Sequence, residues 1–168
     1  MIKVPSRWAT RLVLVVAVLG TIGCDRVTKH MATTTLAGMP GRSYLADTVW
    51  VGYVENTGGF LSVGATLPPD VRVFVFTVGT GLGLLALTVL AIRSRWRGWP
   101  LIGVALIVAG GASNWIDRVV RGSVVDFLNV GIGPVRTGVF NVADMAIMAG
   151  AVLVVFVVFQ RTGEERKP

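Results

Sequence analysis

A chain of 168 residues that is 53% hydrophobic and only 15% charged, with a mean hydropathy of +0.70, is too apolar for an ordinary soluble domain and belongs in a bilayer. Its net charge of +7 suggests nucleic acid only until the charges are placed: Lys3, Arg7 and Arg11, then Arg93, Arg95 and Arg97, then Arg161, Arg166 and Lys167 cluster beside span ends, so positive-inside bias accounts for the excess and no nucleic-acid partner is expected. The single cysteine, Cys24, excludes an intramolecular disulfide and the single histidine, His30, excludes His-rich metal sites, so no metal and no cofactor is expected.

The first segment has two readings. Basic residues, an apolar stretch from Leu12 to Ile22 and then Gly23-Cys24 read like the signal of a lipoprotein precursor. Against that, Thr21 stands where such signals favour Leu, and three further hydrophobic runs follow, so the segment is read as a retained span over residues 9–28. Asp25 and Lys29 lie at its outer end, four residues apart on one helical face, where they can pair. Ionisable groups near membrane depth are costly and usually functional, although both could simply mark the water interface.

A polar stretch from Ala32 to Asp70 has no run long enough to cross a bilayer and reads as an external region. Within it Thr48 to Val54 is β-branched and aromatic, and Asn56-Thr-Gly-Gly59 is a turn signal, which predicts a short hairpin-like sheet with Trp50 and Tyr53 at headgroup level. Pro68-Pro69-Asp70 leads into a second span at 71–92. Arg93 to Trp99 is a tight cytoplasmic link, and Pro100 suits the first turn of a third span at 98–116. The glycines of these spans, Gly79, Gly81, Gly83, Gly103, Gly110 and Gly111, read as packing positions. Residues 117–138 read as an external loop punctuated by glycines and Pro134, a fourth span follows at 139–160, and Thr162 to Pro168 reads as a disordered tail. The expected fold is one domain: a membrane all-α architecture of four transmembrane helices with cytoplasmic termini, carrying a small β element outside, in regions 29–70 and 117–138.

Polar residues that a bilayer should exclude gather at the outer ends of the last two spans. Asn114, Asp117 and Arg118 share a helical face, as do Asn141 and Asp144, while Asp126 sits in the intervening loop between the apolar Val125 and Phe127. Two carboxylates close together in a low-dielectric site tend to share one proton, the requirement of an aspartic peptidase: one takes a proton from water while the other donates to the scissile carbonyl. Spacing alone leaves open that Asp117 with Arg118, or Asp126 with Arg121, are mere ion pairs.

The run Gly110-Gly-Ala-Ser-Asn114-Trp-Ile-Asp117-Arg118 followed by Gly122-Ser-Val124-Val-Asp126-Phe127, and then Phe140-Asn141-Val-Ala143-Asp144, resembles the last two signature blocks of lipoprotein signal peptidase (signal peptidase II). Asp25 to Lys29 matches the first block and Asn56-Thr-Gly58 the second, in the family's order. The resemblance implies four membrane helices with an extracytoplasmic β-sheet cradle. It implies cleavage of diacylglyceryl-modified prolipoproteins just before the lipidated Cys, by a monomer among the lipids of the bacterial inner membrane with its site near the periplasmic face. Carried over by motif position, Asp126 and Asp144 are the catalytic pair. Asn114 and Asn141 orient substrate or the pair, Arg118 pairs with Asp117 or holds backbone, and Asp25, Lys29, Asn56 and Gly58 shape the substrate groove. One departure stands out: the family's second block places two small residues before an aromatic, whereas here Gly58 is followed by Gly59 and then Phe60, which puts substrate or inhibitor preference in question.

Readings of other kinds compete. A Ser/Lys peptidase could use Lys29 with Ser62 or Ser113, but nothing in the sequence sets a hydroxyl beside that amine. A small transporter would line a path across the membrane, whereas these polar residues gather at one depth. A specialised or inactive paralogue that binds lipidated precursors is suggested by the altered second block.

Overall fold

In the computed structural model, which describes residues 7–93 and 96–165, the uncharged runs form four helices long and apolar enough to cross a membrane. We label them α1 (Arg7–Thr35), α2 (Pro69–Arg93), α3 (Trp99–Arg121) and α4 (Val142–Glu165). Lys3, Arg95, Arg166 and Lys167, part of the charge pattern, and the last residues of the expected tail lie outside the described residues. The tail before them is not irregular, since α4 continues through it to Glu165.

Several helices overrun the expected span limits, and the overrun matters. At a rise of 1.5 Å per residue, the 29 residues of α1 extend roughly 44 Å, beyond a hydrocarbon core of about 30 Å. Similarly, α3 does not end near residue 116 but runs to Arg121, closed by Gly122 in the left-handed region with its N–H on the Arg118 carbonyl. Asp117 and Arg118 are therefore helical, as the face they share with Asn114 implied, although they lie past the expected end of the span. The fourth helix starts at Val142 instead of 139, leaving Asn141 as its cap.

Small residues let the helices approach. A Cβ on Gly110 would meet the Ala143 carbonyl, and one on Gly150 the Gly103 carbonyl, so α3 and α4 pack almost backbone to backbone. Residues Val73–Gly79 of α2 form a π-helical turn, where Thr77 O accepts a hydrogen bond from Trp115 Nε1 at 2.8 Å and ties α2 to α3. Gly79 and Gly83, grouped with the packing glycines by sequence, have little or nothing against them.

The small sheet is antiparallel, in the order β1 (Arg42–Tyr44), β2 (Val49–Asn56), β3 (Val124–Ile132) and β4 (Val135–Arg136). The strand expected around residues 48–54 is β2, but the Asn56-Gly59 turn does not close the hairpin. That turn is made by Leu45, Ala46 and Asp47, all at positive φ. The central partner of β2 is β3, from the region read as loop, with Val54 opposite Asp126 and Asn56 opposite Val124. Trp50 covers Gly41 and Gly52 so closely that neither has room for a side chain. Beneath the sheet, Val125 and Phe127 are buried with Ala32 of α1 and pack on Leu36, Tyr53 and Val142. Because successive strand residues alternate faces, Asp126 points away from that cluster and toward the membrane helices. Its flanking apolar residues are thus not its surroundings, contrary to the sequence argument.

Candidate active site

The sheet and three helix ends converge. On β2 and β3, Asn56 and Asp126 are diagonal neighbours on one face, and Asn56 Nδ2 donates to Asp126 Oδ2 at 2.9 Å. Asn56 is itself fixed: its Oδ1 accepts from Gly58 N at 2.9 Å and its Nδ2 also donates to Gly59 O at 3.0 Å. Gly58 has to be glycine there, since a Cβ would approach Val63 O at 2.6 Å and Ala65 N at 2.9 Å.

The start of α4 is a reciprocal capping box. Asp144 N donates to Asn141 Oδ1 at 2.9 Å while Asn141 N donates to Asp144 Oδ2 at 3.2 Å, which places Asp144 at the third helical position with its other oxygen free to accept from Asn114 Nδ2 at 2.8 Å. The Asn141 side chain then reaches across to Asp126 Oδ1 at 2.6 Å. One asparagine thus holds both candidate aspartates, by backbone on one side and by side-chain amide on the other. Ala143 N, another of the donors that the first helix turn leaves without an intrahelical partner, is taken by Asp25 Oδ1 at 2.9 Å from α1.

Behind this layer lies a buried ionic cluster. Lys29 Nζ contacts Asp25 Oδ2 at 2.8 Å, as the four-residue spacing predicted, and also Asp117 Oδ2 and Asn114 Oδ1, each at 2.7 Å. Arg26, which sequence reasoning missed, completes it: NH1 meets Asp117 Oδ1 at 2.6 Å and NH2 meets Ser113 O at 2.8 Å. Asp117 therefore pairs with Lys29 and Arg26, not with Arg118, and among the described residues Asp126 makes no ion pair with Arg121. Arg118 NH2 instead donates to Gly58 O at 2.7 Å, holding backbone, the second of the two roles expected of it. Ser113 does come near Lys29, through Asp25 Oδ2, which its hydroxyl reaches at 2.7 Å, but Ser113 and Lys29 are buried behind the site and neither borders its cavity. The Ser/Lys reading fails on that placement.

In front of the carboxylates is a cavity of about 410 Å³, bordered by Asp126, Asp144, Asn56, Asn114 and Arg118 together with apolar Phe76, Ile147 and Met148. Burial pushes the Asp126 carboxyl up to about 6; the Asn56 hydrogen bond opposes that shift and the nearby Asp144 reinforces it. All the site residues singled out by sequence therefore gather around one cavity or directly behind it.

Set beside known proteins, residues 16–160 match the family model described as signal peptidase (SPase) II. The chain belongs to that family. It is accordingly a membrane-embedded aspartic peptidase of the signal peptidase II type. Relatives include the lipoprotein signal peptidase of Desulforapulum autotrophicum, 34% identical over 158 residues covering 93% of this chain and 96% of that protein. The lipoprotein signal peptidase of Streptococcus pneumoniae is 31% identical over 144 residues, covering 85% and 90%. The fold matches a bacterial membrane enzyme solved at 2.3 Å with a TM-score of 0.77 at 24% identity, over 100% of this chain and 98% of that one.

The departure in this signal peptidase's second block falls on the site itself. Phe60, the aromatic that arrives one place early, borders the main cavity and also an apolar hollow of about 250 Å³ made with Phe140, Met145 and Met148, which Asp144 shares. The capping box was the one site feature with an unread sequence signal, Asn-x-x-Asp ahead of an apolar run. The Arg26 contact had none, because it depends on how α1 turns toward α3.

Proposed function

We propose that Asp126 and Asp144 hydrolyse the peptide bond just before the lipidated Cys of diacylglyceryl-modified prolipoproteins. The observation that carries this reading is the pair itself: two carboxylates bordering one cavity, bridged by Asn141 and each held by a further asparagine amide. Asp126, pushed up by burial, holds the shared proton. Asp144 takes a proton from water, and the oxygen adds to the scissile carbonyl carbon as Asp126 donates to the carbonyl oxygen. Collapse of the tetrahedral intermediate breaks the C–N bond with proton transfer to the leaving amine, and the pair again holds one proton.

The apolar hollow beside Asp144 suits an acyl chain or an apolar signal-peptide side chain, and its methionines can adapt to either. Substrate anchored by lipid is already confined to the membrane plane, which supplies proximity. The basic clusters support cytoplasmic termini in the bacterial inner membrane, with the site near the periplasmic face. The protein acts as a monomer. The direct test is cleavage of a diacylglyceryl-modified prolipoprotein and its unlipidated form by purified protein in detergent: cleavage of the lipidated substrate alone is expected. Equal cleavage of both would remove the lipid requirement, and no cleavage by folded protein would favour a divergent, precursor-binding paralogue.

The proton assignment makes a further prediction. As pH rises through the Asp126 pKa the pair loses its shared proton, so kcat/KM has an alkaline limb set by that residue. The Asn56 amide holds that pKa down, so Asn56→Ala should move the limb to higher pH, whatever it does to the maximum rate. A limb that stays put or moves down would mean that Asp126 is not the proton carrier.

A further inference from the structure

Outside the catalytic cavity, two guanidinium groups meet over a second hollow. Arg72, in the first turn of α2, and Arg118, in the last turn of α3, both border a cavity of about 200 Å³ with Thr57, Val73 and Phe76. The Nε atoms of both arginines are buried and have no acceptor among the described residues. Buried charged donors without acceptors are rare in folded proteins, and two bordering one cavity mark a place for acceptor oxygens.

The local charges point to an anion. Asp25 and Asp117 are already matched by Lys29 and Arg26. Arg118 borders the first cavity with Asp126 and Asp144, whereas Arg72 does not. Arg72 makes no ion pair among the described residues, and Asp70, two positions away, is exposed to solvent. A guanidinium pair with that surplus matches phosphate oxygens in geometry and charge.

The source of the phosphate follows from what lies along α2. None of its membrane-crossing window is buried within the protein, and Val73, Phe74 and Val78 below Arg72 are exposed. In a bilayer, exposed apolar residues of this kind face acyl chains, and Val73 also borders the hollow. We propose that the sheet end of α2 and α3 binds the phosphate of an anionic phospholipid between Arg72 and Arg118, with its acyl chains along α2. The same Arg118 holds Gly58 O, so the bound headgroup braces the loop from which Asn56 reaches Asp126.

The test measures lipid binding, so its outcome is separate from that of the cleavage assay. Affinities of phosphatidylglycerol and phosphatidylcholine with matched chains are measured for purified wild-type protein in neutral detergent, and again for Arg72→Gln and Arg72→Lys. Wild type should prefer phosphatidylglycerol roughly tenfold, since choline offsets its own phosphate. Arg72→Gln should lose the preference and Arg72→Lys keep most of it. Arg72→Met replaces Arg72→Gln should the latter fail to unfold cooperatively. Equal affinity for the two lipids in wild type, or a preference that survives Arg72→Gln, overturns the proposal. Displacement of bound phosphatidylglycerol by inorganic phosphate at matching concentration would also overturn it, by showing a free-phosphate site instead of a lipid site.

Discussion

Asp126→Asn and Asp144→Asn should each lower the turnover of lipidated precursor by roughly 10²–10⁴-fold or more, the range expected when a general acid or base is removed. The double variant should be scarcely slower than either single one, because the carboxylates act as a unit that either loss disables. Turnover is measured on purified protein beside thermal unfolding in the same detergent. A single variant that keeps more than about a tenth of wild-type turnover while folded is incompatible with general acid–base catalysis by that residue.

Folding itself should survive these changes, for reasons visible in the contacts. Asp126 accepts from two amides, Asn56 Nδ2 and Asn141 Nδ2. An asparagine in its place can accept from only one and must turn its own NH₂ toward the other, a cost of about 1–3 kcal/mol. In compensation, the variant no longer buries a charge. The wild-type carboxyl titrates near 6 in the folded protein, above its ordinary value of 3.8. A raised carboxyl pKa means that the folded state binds the proton more tightly than the unfolded chain. Its contribution to stability is therefore fully present below about pH 4 and is lost as pH rises through about 6. Asp126→Asn cannot titrate, so its unfolding temperature should change less between pH 4.5 and 7.5 than that of wild type.

How much of this was legible in the sequence varied with the kind of contact. The helices were, because an uncharged run such as Val73 to Ile92 has few alternatives in a bilayer. The Asp25–Lys29 pair was legible from spacing alone, since one helix fixes both residues. Strand β2 announced itself by its β-branched and aromatic content. Strand β3 did not, although Val124–Ile132 is as apolar, because glycines and Pro134 around it read as loop and its partner β2 lies 70 positions away where Asn56 meets Asp126. The Leu45-Ala46-Asp47 turn was hidden for a related reason: its left-handed backbone carries no glycine to signal it. Polar residues at span ends marked most of the site, and resemblance to the family added Asn56 and Gly58 and assigned the roles, but neither said who touches whom. Arg118 on Gly58 O, Arg26 on Asp117 and Asp25 on the start of α4 depend on the rotation of whole helices, which hydrophobic periodicity in a membrane protein constrains weakly because lipid-facing and packed faces are both apolar.

The same cluster sets the second large expected effect, that of Lys29→Met. The Lys29 ammonium has three protons and three acceptors: Asp25 Oδ2, Asp117 Oδ2 and Asn114 Oδ1. Lys29, Asp25 and Asp117 are all buried, so removing the cation strands two carboxylates in a poorly solvated interior. Breaking a buried ion pair in this way costs about 3–5 kcal/mol. Asp117 keeps half-exposed Arg26 and Asp25 keeps Ser113 and Ala143 N, so the loss should fall toward the lower end. A second effect reaches the chemistry. Lys29 and Asn141 both donate to Asn114 Oδ1, which forces the Asn114 amide nitrogen toward Asp144. Without Lys29 the amide oxygen keeps only the longer 3.2 Å bond from Asn141, so Asn114 is held less firmly against Asp144 and turnover should fall even at temperatures where Lys29→Met remains folded. The decisive comparison is Lys29→Met/Asp117→Asn, which removes the cation together with one stranded charge. It should unfold at a higher temperature than Lys29→Met alone, recovering part of the lost stability without restoring turnover, because Asn114 Oδ1 still lacks its shorter bond from Lys29. If the double variant is instead less stable than Lys29→Met by the full cost of Asp117→Asn alone, the two residues are energetically independent, and the cluster does not brace the site through Lys29.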